Sequence, residues 1–279
     1  MREMSNRRPE RLPGVRQGRA SLPAGADELL RLQRTAGNRA VSALIAGPAD
    51  RRSLHRRAMG APVEHEGLLE DTNTRRTADE ANRPSAMTYH HIISRNMLWE
   101  FWDKVVTNRE QAYLSHMVSA IIDRGYASLL GGRAKEDSNG QPIERDDVET
   151  TMGGVLEGQA LVTQAEKDAF ALFTRMYQWM PGNIMHGPDS SLRTDDAKSG
   201  FEEASLFIVG KPHFTLLKTT YDEMERYRAM AEGAERRRLL ISVAKRYIQI
   251  SGKKDIFRFD QTQWDHNPKR KTWSVRKAA

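Results

Sequence analysis

One stretch organises the chain: Thr88-Tyr89-His90-His91-Ile92-Ile93-Ser94. It sets two adjacent histidines at the end of a short, strand-like run. A second polar stretch lies far downstream, Pro181-Gly182-Asn183-Ile184-Met185-His186-Gly187-Pro188-Asp189, followed by Arg193-Thr194-Asp195-Asp196. If the two stretches meet in space, they form a site with metal-type ligands, a spare imidazole and an arginine. If they do not meet, they are two ordinary loops.

The composition limits the kinds of site that the chain can form. Its 279 residues include no cysteine, which excludes disulfides, thiolate zinc sites and cysteine nucleophiles. Any metal ion must therefore be held by His, Asp, Glu or Asn side chains. The start of the chain shows no signal peptide, and no apolar run reaches the length of a membrane span. We therefore expect a cytoplasmic protein in the cell that makes it.

The positive charge is concentrated near the start of the chain. The net charge is +7, and residues 1–60 alone hold 13 arginines, no lysine and 5 acidic residues, which is a local charge of +8. The remainder is close to neutral, so the overall charge is weak evidence for nucleic-acid binding by the body of the chain. A smaller basic group lies between Lys269 and Lys277, and it suits either a phosphate-contacting edge or a solvated tail.

Residues 1–84 are predicted to form a mostly disordered basic leader, because they are rich in Arg, Pro and Gly. One amphipathic helix is predicted within it, at about residues 27–46, where apolar residues recur every three or four positions. Nothing adjacent in sequence is apolar enough to cover the apolar stripe of this helix. We therefore expect the helix to dock on another protein.

The predicted leader helix carries an unusual string, Leu32-Gln33-Arg34-Thr35-Ala36-Gly37-Asn38-Arg39-Ala40-Val41-Ser42-Ala43-Leu44-Ile45. It resembles a short leader of proteins associated with bacterial extracellular contractile injection systems, which are phage-tail-like particles that deliver protein cargo. The resemblance implies that residues 26–46 bind components of such a particle. The alternative is a plain amphipathic helix.

Residues 85–279 are predicted to form a helix-rich domain. Apolar residues at helical spacing mark helices at about 97–106, 113–130, 163–180, 216–230 and 239–248. The third of these begins with a capping box, Thr163-Gln164-Ala165-Glu166. The alternating residues 256–259 predict a short strand.

The two adjacent histidines suit two different tasks. Successive side chains of a strand point to opposite faces, so His90 and His91 cannot both bind one metal ion in regular strand geometry. At a strand end, one can bind a divalent cation while the other takes a proton from water. A neutral imidazole suits both tasks near pH 7.

The downstream stretch offers the partners that such a pair needs. Asn183 can hold the ring of a general base, and Arg193 can grip a phosphate with two parallel donors. The further candidate metal ligands are imidazole and carboxylate side chains: His186, Asp189, Asp195 and Asp196. A structural role remains open for each, because the Gly and Pro neighbours are typical of turns and acids after Thr194 are typical of a helix start.

The stretch Tyr89-His90-His91-Ile92-Ile93-Ser94 resembles the opening of HNH-type nucleases of the ββα-metal fold. The resemblance implies that His90 binds a divalent metal ion (Mg²⁺, Mn²⁺, Zn²⁺ or Ni²⁺) and that His91 is the general base. It also implies that Asn183 orients His91, and that His186 or one of the aspartates completes the metal site. The chain departs from the family pattern, because about ninety residues separate the histidine pair from Asn183 where the family has a few tens.

The predicted fold class is α+β and helix-dominated, with a small β-hairpin or ββα-metal-like site that carries large helical insertions and follows a disordered tail. The predicted function is that of a metal-dependent nuclease toxin that acts on DNA, with RNA as the alternative substrate, and that is delivered by a contractile injection particle. An immunity protein is a further partner that such a toxin can require. Two alternatives remain open: a hydrolase or transferase that uses the same histidines on another substrate, and a helical binding or structural effector that is not an enzyme.

Overall fold

The computed structural model describes residue 84 and residues 86–130, 135–197 and 200–277. The predicted disordered leader, with its helix at residues 27–46, lies outside these residues. Within the described part of the chain the fold is α+β and dominated by helices, as the sequence predicts. Two small antiparallel sheets accompany the helices.

The regular structure of the described residues consists of seven α-helices and four strands. The helices are α1 (Arg95–Thr107), α2 (Ser115–Arg124), α3 (Arg145–Leu156), α4 (Gln164–Gln178), α5 (Leu206–Val209), α6 (Lys211–Ala229) and α7 (Ala234–Ser251). The strands are β1 (Met87–His91), β2 (Ile184–Pro188), β3 (Trp264–Asn267) and β4 (Thr272–Val275). The helix α6 packs against both α1 and α7, while α2 contacts α7 and α3 contacts α4. None of these helices combines the length and the apolar character that a membrane span requires.

The first sheet joins the two polar stretches that the sequence singles out. β1 and β2 pair antiparallel, with Tyr89 opposite His186 and His91 opposite Ile184. The helices α1 to α4 lie between these two strands in the chain, so the pair is a hairpin with a large helical insertion. Of the two possibilities that the sequence leaves open, the structure shows the first: the two stretches meet in space.

The helix α1 begins directly after this sheet. Ser94 caps it, because its Oγ accepts a hydrogen bond of 3.2 Å from the backbone N–H of Met97. One face of the helix is buried in the core, and its members recur at helical spacing: Met97, Leu98, Phe101, Trp102 and Val105. The capped and buried start of α1 thus fixes the direction of the chain just after the histidine pair.

Two fully buried tyrosines connect the helices behind the sheet. The hydroxyl of Tyr177 on α4 donates a hydrogen bond of 3.1 Å to the carbonyl of Leu98 on α1. The hydroxyl of Tyr247 on α7 donates to the backbone carbonyl of Tyr177. Since α4 leads into the turn at Pro181–Asn183, these bonds hold that turn in a fixed relation to the core.

The structure differs from the sequence-based expectation in three elements. The predicted strand at residues 256–259 is wrong, because only Phe257 pairs there, in an isolated parallel bridge with Met185. The helix α3 was not predicted, since it contains two glycines and buries only Val148 and Met152. The hairpin of β3 and β4 was not predicted either. The buried residues of this hairpin are Trp264, Trp273 and Val275. Three residues are too few to show the alternation of buried and exposed positions that predicts a strand.

Candidate functional site

The loop that follows β1 is held from two sides by backbone hydrogen bonds. On one side, the N–H of Ile92 donates to the carbonyl of Asn183 at 2.9 Å. On the other, the N–H of Glu202 donates to the carbonyl of Ile92 at 2.9 Å, and the N–H of Ser94 donates to the carbonyl of Gly200 at 3.0 Å. Main-chain hydrogen bonds therefore hold residues 200–202 next to the loop that follows the histidine pair.

The side chain of Asn183 adds two hydrogen bonds to the first of these contacts. Its Oδ1 accepts a hydrogen bond of 2.7 Å from the N–H of Ile93, and its Nδ2 donates one of 3.0 Å to the carbonyl of the same residue. Asn183 is fully buried. It therefore positions the histidine pair through the backbone two residues beyond His91, whereas the sequence analysis expected it to hold the imidazole ring.

A group of three potential metal ligands lies at the end of β1. One ligand atom each from His90, Asp196 and Glu202 lies within 4.8 Å of the other two. Metal bonds of about 2.0–2.2 Å hold ligand atoms at most about 4.4 Å apart. The three side chains are thus slightly farther apart than the ligands of a bound ion, and after moving closer together the group could hold a metal ion.

His90 has the protonation state that a metal ligand needs. Its Nε2 lies 2.7 Å from the carbonyl oxygen of Pro188, which can only accept, so Nε2 carries the proton and Nδ1 keeps its lone pair. Burial, assisted by the positive charge of Arg193, lowers the pKa of His90 to about 4. The imidazole is therefore neutral at physiological pH.

Glu202 is held by a buried arginine. The two terminal nitrogens of Arg193 donate to the two carboxylate oxygens of Glu202, each at 3.1 Å, while its Nε donates to Asp195 at 3.1 Å. The side chains of Arg193 and Glu202 are almost completely buried, and the guanidinium lies over the ring of Trp264. Burial raises the pKa of Glu202, and the charge of Arg193 opposes that rise.

The three potential ligands and His91 line one cleft of about 420 Å³. Its wall also includes Arg95 and Asn96 in the first turn of α1, whose N-terminus is a favourable place for an anion. The half-buried ring of His91 packs edge-on against Trp179 at a centroid distance of 4.6 Å, and the guanidinium of Arg95 lies 5.9 Å from the centroid of the same indole. The cleft thus combines a candidate metal group, an imidazole and a cation.

The strand register separates His186 from this group. Cross-strand neighbours share a face of the sheet, so His186 lies on the face of Tyr89, opposite to that of His90. The rings of Tyr89 and His186 accordingly lie 5.1 Å apart. Burial lowers the pKa of His186 to about 4, and its buried Nε2 has no hydrogen-bond partner among the described residues. His186 therefore does not belong to the three-ligand group.

Two of the three candidate aspartates have structural roles instead. Asp189 caps a short 3-10 turn, since its Oδ1 accepts hydrogen bonds from the backbone N–H and hydroxyl of Ser191. Asp195 accepts from Arg193 and, at 2.7 Å, from the backbone N–H of Val275. Only Asp196 joins His90, and residues 194–197 are irregular, so no helix starts at Thr194.

Glu202 and Arg95 are residues of the site that the sequence patterns did not predict. Glu202 follows Phe201, whose antiparallel bridge with Ile93 carries the glutamate to the site. That bridge is a contact between residues more than one hundred positions apart, and no local sequence pattern predicts it. Arg95 had a local signal, because a residue just after the cap Ser94 lies at the N-terminus of a helix and close to the histidine pair.

Comparison with known proteins relates part of the chain to a phage protein. No protein-family model matches the chain, and no solved structure matches it. One curated relative is a phage protein, "Putative protein p9" of Acyrthosiphon pisum secondary endosymbiont phage 1, which is 26% identical over 147 residues. The match covers 50% of this chain and 38% of the relative, so the chain spans well under two thirds of that protein. The chain is thus similar to a segment of a phage-encoded protein.

Proposed function

We propose that the chain is a metal-dependent nuclease that hydrolyses phosphodiester bonds in DNA. One observation carries the proposal: the potential ligands His90, Asp196 and Glu202 converge within 4.8 Å in a cleft that His91 and Arg95 also line. A phosphodiester hydrolase needs charge stabilisation at phosphorus, a base for the attacking water and a cation for the phosphate. The cleft holds a residue of the right type for each task.

The ligand set favours some metal ions over others. One imidazole and two carboxylates combine a ligand that suits zinc and nickel with ligands that suit magnesium and manganese. Mn²⁺ or Zn²⁺ fits this mixture better than Mg²⁺, which prefers oxygen ligands alone. When bound, such an ion stabilises the negative charge that develops on the phosphate and on the leaving oxygen.

His91 is the general base in this proposal. It follows the ligand His90 directly and is one of the residues that line the cleft, so in this proposal it meets the attacking water there. As the water oxygen bonds to phosphorus, His91 accepts the proton that the water releases. One ester P–O bond breaks, and the leaving oxygen takes a proton from solvent. Asn183 keeps the base in place by fixing the backbone of Ile93.

Arg95, rather than Arg193, is the cation that binds the phosphate in this proposal. The donors of Arg193 are directed at Glu202 and Asp195, so Arg193 acts on the site by holding a ligand. Arg95 lines the cleft beside Asn96 at the start of α1, where the helix dipole also favours an anion. A phosphate in the cleft can therefore contact the first turn of α1 and the Arg95 side chain together.

Plasmid nicking tests the proposed reaction. The purified protein is incubated with supercoiled DNA and Mn²⁺, Mg²⁺, Zn²⁺ or Ni²⁺, with EDTA as the metal-free control. We expect metal-dependent nicking that falls by roughly 10²–10⁴-fold in His91→Ala, as for loss of a general base. The control is His116→Ala, which changes an exposed histidine on α2. A wild-type protein that binds no metal ion and nicks no DNA contradicts the proposal and favours a non-enzymatic effector.

We infer that the nuclease is cargo of a contractile injection particle. The support is the sequence of residues 26–46 alone, since these residues lie outside the described part of the chain. Deleting residues 1–60 tests this inference separately from catalysis. The truncated protein is expected to nick DNA as before and to be absent from purified particles, and its normal loading would contradict the delivery role.

A further inference from the structure

The hairpin of β3 and β4 ends in an exposed basic tip. The turn between the strands contains Lys269, Arg270 and Lys271, and all three side chains are exposed. Arg276 and Lys277 follow β4 and are exposed as well. No acidic residue occurs between positions 266 and 277. The hairpin therefore presents a compact group of positive charges to solvent.

The backbone of the tip is held in one conformation. The Oδ1 of Asn267 accepts hydrogen bonds of 3.1 Å from the N–H groups of Lys269 and Arg270. Lys271 closes the turn with a φ of 54°, in the left-handed region. This conformation is uncommon for a residue other than glycine, so the local sequence maintains a defined turn rather than a loose loop. The turn thereby sets the backbone positions from which the three basic side chains extend.

The hairpin is attached to the segment that supplies a potential metal ligand. The N–H of Thr194 donates a hydrogen bond of 3.0 Å to the carbonyl of Trp273, and the Oδ2 of Asp195 accepts one of 2.7 Å from the N–H of Val275. Asp196 is the next residue. The strand β4, which follows the tip, is thus hydrogen-bonded to the two residues that precede the potential ligand Asp196.

The charges of the tip are available to a partner. Of the basic residues in the hairpin, Arg276 pairs with Asp265 at 2.8 Å. No ion pair between described residues involves Lys269, Arg270 or Lys271. Residues 61–279 carry about one net negative charge, since the excess of arginine lies in residues 1–60. A polyanion that approaches the body of the chain therefore meets a local positive site at this hairpin.

We propose that the basic tip at Lys269–Lys271 binds the phosphate backbone of the duplex DNA whose scissile bond lies in the cleft. This inference rests on the proposed nuclease function, because it assigns a substrate contact to the same site. Lys and Arg on a fixed turn suit backbone phosphates, which position a duplex without reading its sequence. Contacts of this kind make binding strongly dependent on salt.

DNA binding in EDTA tests the inference without any cleavage. Fluorescence anisotropy of a labelled 20-base-pair duplex is measured between about 50 and 200 mM salt for the wild type and for the triple variant Lys269→Gln, Arg270→Gln, Lys271→Gln. Loss of three phosphate contacts is expected to reduce the slope of log K against log salt by about 2.7, and to weaken binding by roughly tenfold or more at 100 mM salt. The unfolding temperature should not change, because all three side chains are exposed.

A second triple variant separates a local contact from a general charge effect. Arg237→Gln, Arg238→Gln and Lys245→Gln remove the same charge from exposed positions on α7. We expect this control to bind DNA almost as the wild type does. Equal losses in the two triple variants would overturn the inference, and so would DNA binding by the tip variant that matches the wild type. Loss of binding to anionic phosphatidylglycerol vesicles, with DNA binding intact, would overturn it in favour of a membrane contact.

Cleavage measurements distinguish this inference from the nuclease proposal. If the tip binds DNA but the wild type never nicks it with any metal ion, the nuclease proposal fails and the binding surface stands. If the wild type nicks DNA, the tip variant should hydrolyse a small phosphodiester such as bis(p-nitrophenyl) phosphate at the wild-type rate. Its plasmid nicking should fall in parallel with its DNA affinity.

Discussion

The side chain of Asn183 makes two hydrogen bonds to the backbone of Ile93, a residue ninety positions earlier in the chain. These bonds satisfy a buried N–H and a buried carbonyl that no regular strand pairing covers. They join the loop after His91 to the turn before β2, on the opposite side of the helical insertion. A single buried amide therefore connects the two halves of the candidate site.

Replacing Asn183 by alanine is expected to destabilise the fold and weaken the site together. The change leaves the N–H and carbonyl of Ile93 buried without their partner, at a cost of roughly 1–3 kcal/mol for each unsatisfied group. Urea unfolding measures the stability, and plasmid nicking at a temperature where the variant is folded measures the activity. The control is Asn139→Ala on an exposed loop, and equal stabilities of the two variants would contradict the role of Asn183.

The helical part of the fold could be predicted because it depends on local patterns. The capping box at Thr163 is present, with Glu166 Oε2 accepting from the N–H of Thr163 at 2.8 Å. The stripes of α1, α4, α6 and α7 follow the helical period that the sequence displays. Each of these helices buries an apolar face, whatever its position in the fold. The spacing of the apolar residues in the sequence is therefore sufficient to predict them.

The site could be predicted only in part. Several of its features depend on contacts between distant parts of the chain, which the spacing of residues in the sequence does not reveal. The adjacent histidines and Asn183 carry their own signal. The exclusion of His186 depends on strand register, since a shift of one residue would move it to the face of His90. Glu202 depends on the pairing of Phe201 with Ile93, which are more than one hundred positions apart in the chain.

Three single substitutions are expected to abolish metal binding. His90→Gln, Asp196→Asn and Glu202→Gln each remove one member of the three-ligand group. Calorimetric titration with Mn²⁺ measures the affinity, and thermal unfolding gives a second readout. Because an ion that binds only the folded state stabilises it, the wild type should gain about 2.7 kcal/mol at a metal concentration 100 times Kd. The three variants should gain almost nothing.

The matched control for these ligand variants is Asp189→Asn. The asparagine Oδ1 can still accept from Ser191, so the turn after β2 is preserved. We expect the control to bind Mn²⁺ as the wild type does. An Asp189→Asn variant that loses the metal ion while Glu202→Gln keeps it would replace the three-ligand assignment with the one expected from the sequence alone.

Arg193→Met is expected to destabilise the protein by about 3–5 kcal/mol, because it leaves the Glu202 carboxylate buried without its partner. The double variant Arg193→Met, Glu202→Leu removes both charges and should recover much of this loss. Urea unfolding of the two variants and the wild type measures the difference. A double variant less stable than the single one would contradict the view that the arginine serves to compensate Glu202.

The control for the buried pair is Arg145→Met, which breaks a surface pair with Asp123 and Glu149. Both partners are about half exposed, so solvent screens their attraction. No measurable change in stability is expected for this variant. Metal binding should also be unaffected, whereas the double variant at Arg193 and Glu202 should bind no metal ion.

The stability of the metal-free protein is expected to fall as the pH decreases below about 6.5, in part because of His213. This imidazole is half-buried, and its Nε2 donates to the carbonyl of Gly182 at 2.7 Å, next to the turn that holds Asn183. Burial lowers its pKa below the ordinary value of 6.5. The unfolded chain therefore binds a proton that the folded chain does not. The contribution to stability is complete above pH 6.5 and is lost as the pH falls through the lower, folded-state pKa.

His213→Gln isolates this contribution, because glutamine keeps a donor for Gly182 and does not titrate. Urea unfolding between pH 5 and 8 should show a smaller loss of stability in the variant, by up to about 1.4 kcal/mol per pH unit. The remaining dependence of stability on pH comes in part from His90 and His186, because burial lowers their pKa values to about 4. The control is His116→Gln on the exposed face of α2, which should follow the wild type at every pH. Parallel pH curves for His213→Gln and the wild type would show that this histidine does not titrate on unfolding.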